Sequence, residues 1–237
     1  MHRQKPPFLS HRTVVKHTGE NRMKAKEFTG LFERFSKVME ENRRYLIQLD
    51  SVVGDGDLGL TMDDGFKAAY HAVRDSEESD IGKLLYGAGK AMSVAVPSTM
   101  GTLMASGWMQ AGKAFRGADE IQIDQMADIF AAYLEGVAGR GKAKPGEKTF
   151  LDGLAPAVDA MKEALENGKN AVEVAEAASE GAAQGFRNTT TMIAVHGRAA
   201  TRGAASRELE DPGAAVAMLM MQAYRDWVRD THDCLPC

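Results

Sequence analysis

Cysteine is nearly absent from this 237-residue chain, and the two that occur, Cys234 and Cys237, stand together in a terminal C-L-P-C. No second Cys/His pair lies at zinc-like spacing, so neither a disulfide framework nor a structural zinc site is available. Such usage suits a reducing compartment, and the expected location is the cytoplasm. Long apolar runs are missing too. The longest stretch without a charged side chain, Ala91 to Gly112, contains Pro97, Ser98, Thr99, Gly101, Thr102, Ser106, Gly107 and Gln110. It reads as helix, turn and helix, and no membrane span is expected. An excess of charge of either sign is missing as well: the formal net charge is −4, which gives no reason to expect nucleic acid as a partner. Only residues 1–26 are strongly basic, with seven Lys/Arg against one acid, Glu20. Pro6 and Pro7 interrupt that stretch, which has no apolar core of the signal-peptide kind. Residues 1–26, with His2, His11 and His17, are therefore expected to form a flexible tail, and residues 231–237 a short second one.

Alternating hydrophobicity is also lacking, and helical periodicity takes its place. Leu31, Phe35, Val38, Tyr45, Leu46 and Leu49 form one stripe that ends at Asp50. Met62, Phe66, Ala69 and Val73 form a second. Ile81, Leu84, Leu85, Ala88, Met92 and Ala95 follow, with Ser79 placed to cap. Then come Met126, Ile129, Phe130, Tyr133 and Val137 after Asp124, and Phe150, Leu154, Ala157, Met161 and Leu165, stopped by Asn167-Gly168. An Ala-rich helix is predicted over about 170–194, and a last one from Asp211-Pro212 through Trp227. With the helix after Pro97 the total is about eight. Strands and βαβ units are not predicted. The expected fold is all-α, a bundle or barrel of antiparallel helices in one domain over residues 27–230.

Four segments break the helical rhythm, and each leads into a helix start: Asp50–Thr61, Val96–Thr102, Gly139–Thr149 and His196–Gly213. At the same end of an up-and-down bundle they would build one site. The first, D-S-V-V-G-D-G-D-L-G from Asp50, places Asp50, Asp55 and Asp57 within eight residues, with Gly54, Gly56 and Gly59 to turn the chain. Three crowded carboxylates repel unless a cation lies between them, and hard oxygen ligands suit Mg²⁺. A calcium loop starting at Asp55 fails, because its twelfth position is Phe66 where a glutamate is required. Taken alone, the segment also reads as an Asp/Gly turn with capping roles. In the second segment Pro97 ends a helix, Ser98 or Thr99 caps the next, and free N–H groups there suit a phosphate; a simple capped joint explains it equally. The chain contains no G-x-x-x-x-G-K-[ST] loop. The third segment is a basic loop from Arg140 to Thr149. The fourth holds His196, Arg198, which suits a phosphate or an acidic partner, and Asp211-Pro212-Gly213, a capped helix start.

Three pieces, L-D-S-V-V-G-D-G-D-L-G from Leu49, G-K-A-K-P-G-E-K-T-F-L-D from Gly141, and G-R-A…D-P-G-A ending at Ala214, resemble the L subunit, the nucleotide-binding subunit, of dihydroxyacetone kinases. The resemblance runs from about Glu33 to Met221. It implies an eight-helix antiparallel barrel and two Mg²⁺ ions held by Asp50, Asp55 and Asp57, carrying the phosphates of ADP or ATP. It implies further nucleotide contacts at Leu58, Gly59, Leu60, Thr61, Thr99, Met100, Gly141, Phe150, Arg198, Asp211, Pro212 and Gly213. It also implies a partner, a K-type subunit that holds a small keto-sugar such as dihydroxyacetone. The phosphoryl source is either ATP exchanged at this site or a phosphotransferase-system protein that recharges bound ADP. No residue of this chain is assigned as catalytic acid or base. The chain departs from the family at Leu58 and Leu209, where histidines are usual, and at Pro97 to Met100, where a Gly-Gly-Ala-Ser run is usual. These departures leave a second reading, a nucleotide-loaded regulatory module without turnover of its own.

Overall fold

Nine α-helices carry the predicted stripes in the computed structural model, which describes residues 22–232. They are α1 (Phe28–Glu41), α2 (Arg43–Val53), α3 (Leu58–Arg74), α4 (Ile81–Ala95), α5 (Thr99–Ala114), α6 (Met126–Gly141), α7 (Phe150–Glu166), α8 (Ala171–Asn188) and α9 (Pro212–His232). The predicted eight become nine because the first stripe breaks at Asn42. There the Asn42 amide and side-chain nitrogen both donate to the Val38 carbonyl, closing α1 just before α2 begins. The helix expected to reach residue 194 stops at Asn188. Thr189, Thr190 and Thr191 each return a hydroxyl to the carbonyl three residues earlier, which satisfies the last turn and ends it. Two further caps differ from the prediction. Asp80, not Ser79, caps α4 by accepting from the Lys83 amide, and Asp124 lies within a short 3₁₀ turn ahead of α6.

The helices form a closed ring, with α3 to α9 each packed on its predecessor and α9 returning to α1. Their apolar faces meet in one core, where Trp108 lies between Phe32 and Tyr133 at centroid distances of 4.7 and 4.8 Å. Helices α7, α8 and α9 approach most closely where side chains are absent. A Cβ on Gly185 would strike the Asp152 carbonyl, and one on Gly153 would lie 2.8 Å from the Ala214 carbonyl. Pro156 has no N–H to give that Asp152 carbonyl, so the bare backbone of α8 fits against it.

The absence of strands does not hold. Arg22–Lys24 (β1) pairs antiparallel with Glu120–Gln122 (β2), three residues each, burying Met23 and Ile121. The folded chain thus takes in residues 22–26 of the stretch expected as a basic tail, and Ala25 is buried with Met23. His2, His11, His17, Cys234 and Cys237 lie outside the described residues. Among the described residues, no helix is long and apolar enough to cross a membrane.

Candidate functional site

Alternate connections of the ring fall at the same end. Those joining α2 to α3, α4 to α5, α6 to α7 and α8 to α9 line one cleft of about 790 Å³. Because the chain enters a helix after each of them, the first residues of four helices, Leu58, Thr99, Phe150 and Pro212, all face that cleft. Four helix N-termini therefore present the positive ends of their dipoles to one space.

The acidic wall is built by the turn between α2 and α3. Asp50, in the last turn of α2, folds its Oδ2 over the turn and accepts from the amides of Gly56 (2.9 Å) and Leu58 (3.3 Å). Gly56 has φ +77°, which a side chain would strain, and a Cβ at Gly54 would run into the Asp50 carboxylate. Glycine is thus required for Asp55 and Asp57 to come back beside Asp50. One carboxylate oxygen from each of the three lies within 4.8 Å of the others, the one such cluster of metal-ligating side chains among the described residues. The electrostatics carry the mark of that crowding. The Asp57 pKa is raised, first by desolvation and then by Asp55 and Asp50, with Arg198 opposing. Arg198, from the α8–α9 connection, reaches across to pair with Asp55 at 2.5 Å. A compact set of hard oxygen donors facing helix N-termini fits divalent cations bridged to phosphate oxygens.

The other walls are capped helix starts and apolar side chains. Ser98 accepts from the Gly101 amide at the head of α5. Thr149 and Asp152 form a reciprocal capping pair at the head of α7, with Thr149 N donating to Asp152 Oδ2 at 2.7 Å. Asp211 accepts from the Ala214 amide at 2.7 Å at the head of α9. Burial drives the Asp211 pKa up to about 7, and Asp152 adds to it, while the Ala214 amide, Lys148 and the Gly213 amide pull it down. Met100, Leu103, Val137 and Ala143 supply the apolar side of the cleft. At the rim, His196 Nε2 and Glu147 Oε2 stand 2.7 Å apart, and this contact holds the Glu147 carboxyl below its usual range.

Of the expected site residues, Asp50, Asp55, Asp57, Leu58, Thr99, Met100, Gly141, Phe150, Arg198, Asp211, Pro212 and Gly213 all line this cleft. Gly59, Leu60 and Thr61 do not. Gly59 packs bare against the Arg43 carbonyl of α2, Leu60 points to solvent, and Thr61 is buried in α3. The largest omission from the sequence reading is Lys148. It sat in a basic loop of the kind that is usually solvated, yet it is 2% exposed, lines the cleft and has φ +60°. Nothing in sequence distinguishes it from Lys142 or Lys144. The T-x-x-D pattern of Thr149 and Asp152, by contrast, is a readable cap signal.

Comparison with known proteins follows the same lines. Residues 52–226 match the model of the DAK2 domain. The chain is 32% identical over 189 residues to the Escherichia coli (strain K12) PEP-dependent dihydroxyacetone kinase, ADP-binding subunit DhaL, covering 80% of this chain and 90% of that one. It is 30% identical over 213 residues to the L-erythrulose 1-kinase of Mycolicibacterium smegmatis, covering 89% of this chain but 37% of that longer protein. Its fold is similar to that of the dihydroxyacetone kinase of C. freundii in complex with AMP-PNP and Mg²⁺, with a TM-score of 0.63 at 21% identity over 94% of this chain and 38% of that one.

Proposed function

This chain belongs to the DAK2 domain family, and from that premise we propose that it is the nucleotide-binding subunit of a dihydroxyacetone-kinase-type phosphotransferase. It would pass a phosphoryl group from a Mg²⁺-bound nucleotide to a three- or four-carbon keto-sugar held by a separate K-type subunit. The observation that carries this reading is the three-aspartate cluster at the head of α3 sharing one cleft with the N-termini of α5, α7 and α9. Phosphoryl transfer asks the protein for positioned charge more than for covalent chemistry, and this arrangement provides it. Asp50, Asp55 and Asp57 would hold two Mg²⁺ ions, which when bound neutralise phosphate charge and act as Lewis acids. The amides at the starts of α5 and α9, together with Arg198, suit the phosphate oxygens, and Met100, Leu103, Val137 and Ala143 suit the base. No side chain of this chain is assigned proton transfer; its work is to bind and orient.

The match over 90% of the E. coli ADP-binding subunit supports an arrangement with a sugar-binding partner and a phosphoenolpyruvate-driven donor. The surface agrees. Of the six exposed large hydrophobics among the described residues, Val52, Leu60, Val94, Ile193 and Val195 belong to elements that end or begin at the cleft, while Tyr86 lies midway along α4. Exposed apolar side chains at one end of the ring suit a docking face there. The alternative reading, a nucleotide-loaded regulator, draws on the departures at Leu58, Met100 and Leu209, of which the first two line the cleft. Mixing the purified chain with a K-type subunit, dihydroxyacetone or erythrulose, and either Mg-ATP or a phosphotransferase-system donor separates the two. Sugar phosphate that forms only when both chains are present supports the kinase. Tight nucleotide binding without transfer to any keto-sugar would assign the chain to regulation.

A further inference from the structure

The segment joining α8 to α9 is long, from residue 189 to 211, and most of residues 197–205 are exposed, yet its neck is drawn tight around one side chain. Lys148 Nζ lies 2.7 Å from the Thr189 carbonyl, 2.6 Å from that of Ser206, 2.5 Å from Leu209, 3.1 Å from Arg207 and 3.3 Å from Met192. Five carbonyl dipoles from one segment thus converge on one buried ammonium, which has three protons to share among them. The same neck is closed by two hydroxyls. The Asp211 amide donates to Thr189 Oγ1 at 3.2 Å, and the Ala194 amide donates to Ser206 Oγ at 2.9 Å. What the segment offers the cleft hangs from that neck: His196, Gly197, Arg198 and Ala199 on the loop, and Asp211 at its end. Lys148 itself sits at positive φ, a conformation that a non-glycine residue keeps only where its surroundings fix it.

We propose that Lys148 is a positioning residue of the phosphate site, its ammonium serving as a built-in cation that closes the 189–211 loop and sets Arg198 and the capped start of α9 against the cleft. In its effect this rests on the nucleotide reading above; in its structural part it does not. Without the charge, five converging carbonyls would be left buried and mutually repelling, and the neck would open toward water. Arg198 would then lose its fixed reach to Asp55, and Asp211 would lose both its neighbouring cation and the Thr189 tie.

The test uses Lys148→Met, close in length but neutral, and Lys148→Arg, which restores the charge. Amide hydrogen exchange is measured on the nucleotide-free proteins, and Mg-ADP affinity is measured by calorimetry. The expected result for Lys148→Met is exchange at least tenfold faster within residues 192–209, unchanged exchange in α1 to α6, and Mg-ADP affinity at least tenfold weaker. Lys148→Arg should recover a large part of both. Loop exchange and affinity in Lys148→Met equal to those of the parent overturn the proposal, and so does Lys148→Arg behaving no better than Lys148→Met. If Lys148→Met fails to fold, Lys148→Arg decides: a folded protein with a protected loop upholds the role of the charge, and unfolding of both variants overturns a local role. A parent that itself binds no Mg-ADP counts against the nucleotide reading, while the exchange data still judge Lys148.

Discussion

Asp211 is buried beside Asp152 and Lys148, and its carboxyl titrates near neutrality, at about 7. The folded protein therefore keeps this proton to a higher pH than the unfolded chain does, where an aspartate ionises near 3.9. The stability gained from the difference is complete below about pH 4 and is lost as pH rises through about 7. Asp211→Asn keeps a capping oxygen but cannot ionise. Its stability relative to the parent should rise between pH 4 and pH 8, on the order of a few kcal/mol at most, as read by urea unfolding at each pH. A difference independent of pH would show that Asp211 is ionised throughout. Asp55 makes the opposite kind of prediction, because its charge is needed. Asp55→Asn removes one of three hard ligands and the partner of Arg198, and should weaken Mg²⁺-dependent nucleotide binding by on the order of 100-fold with the fold intact. Unchanged binding by titration calorimetry would remove the cluster from the site.

Among the elements, α7 bears most of the construction, because it meets α8 and α9 through glycines and begins with the cap that faces the cleft. Gly185→Val should force α8 away from the Asp152 carbonyl and cost about 3 kcal/mol by chemical denaturation. A loss below about 0.5 kcal/mol would mean that the contact is slack. Helix existence was legible in the sequence because each helix buries a stripe at helical spacing, from Leu31 and Phe35 to Ala214 and Val228. Helix ends were less so, since they depend on local hydrogen bonds that compete closely. Asn42 broke one stripe, the Thr189–Thr191 run cut another short, and Asp80 took the capping role from Ser79. The three-residue pairing of β1 with β2 is non-local and too short to leave an alternating pattern. The acidic cluster was legible because its spacing is written in eight consecutive residues. Lys148 was not, because its burial comes from carbonyls 41 to 61 positions away.

For the molecule as a whole, the ring explains why one end is a site. An up-and-down closed ring places alternate connections together, so four loops far apart in sequence become neighbours, and four helix dipoles point the same way. The exposed valines at that end should matter to a partner and not to the nucleotide. Val94→Asp and Val195→Asp should reduce phosphoryl transfer to partner-held sugar by at least about tenfold while leaving Mg-ADP affinity within about twofold. Equal transfer by parent and variants would move the docking face elsewhere. The central claim, that Asp50, Asp55 and Asp57 share divalent cations with a nucleotide's phosphates, is most directly tested by titrating ADP into the purified chain with Mg²⁺ and again with the metal chelated. One nucleotide should bind per chain with Mg²⁺, and affinity should fall at least about a hundredfold without it. Binding of equal strength in both conditions, or none in either, would contradict that claim.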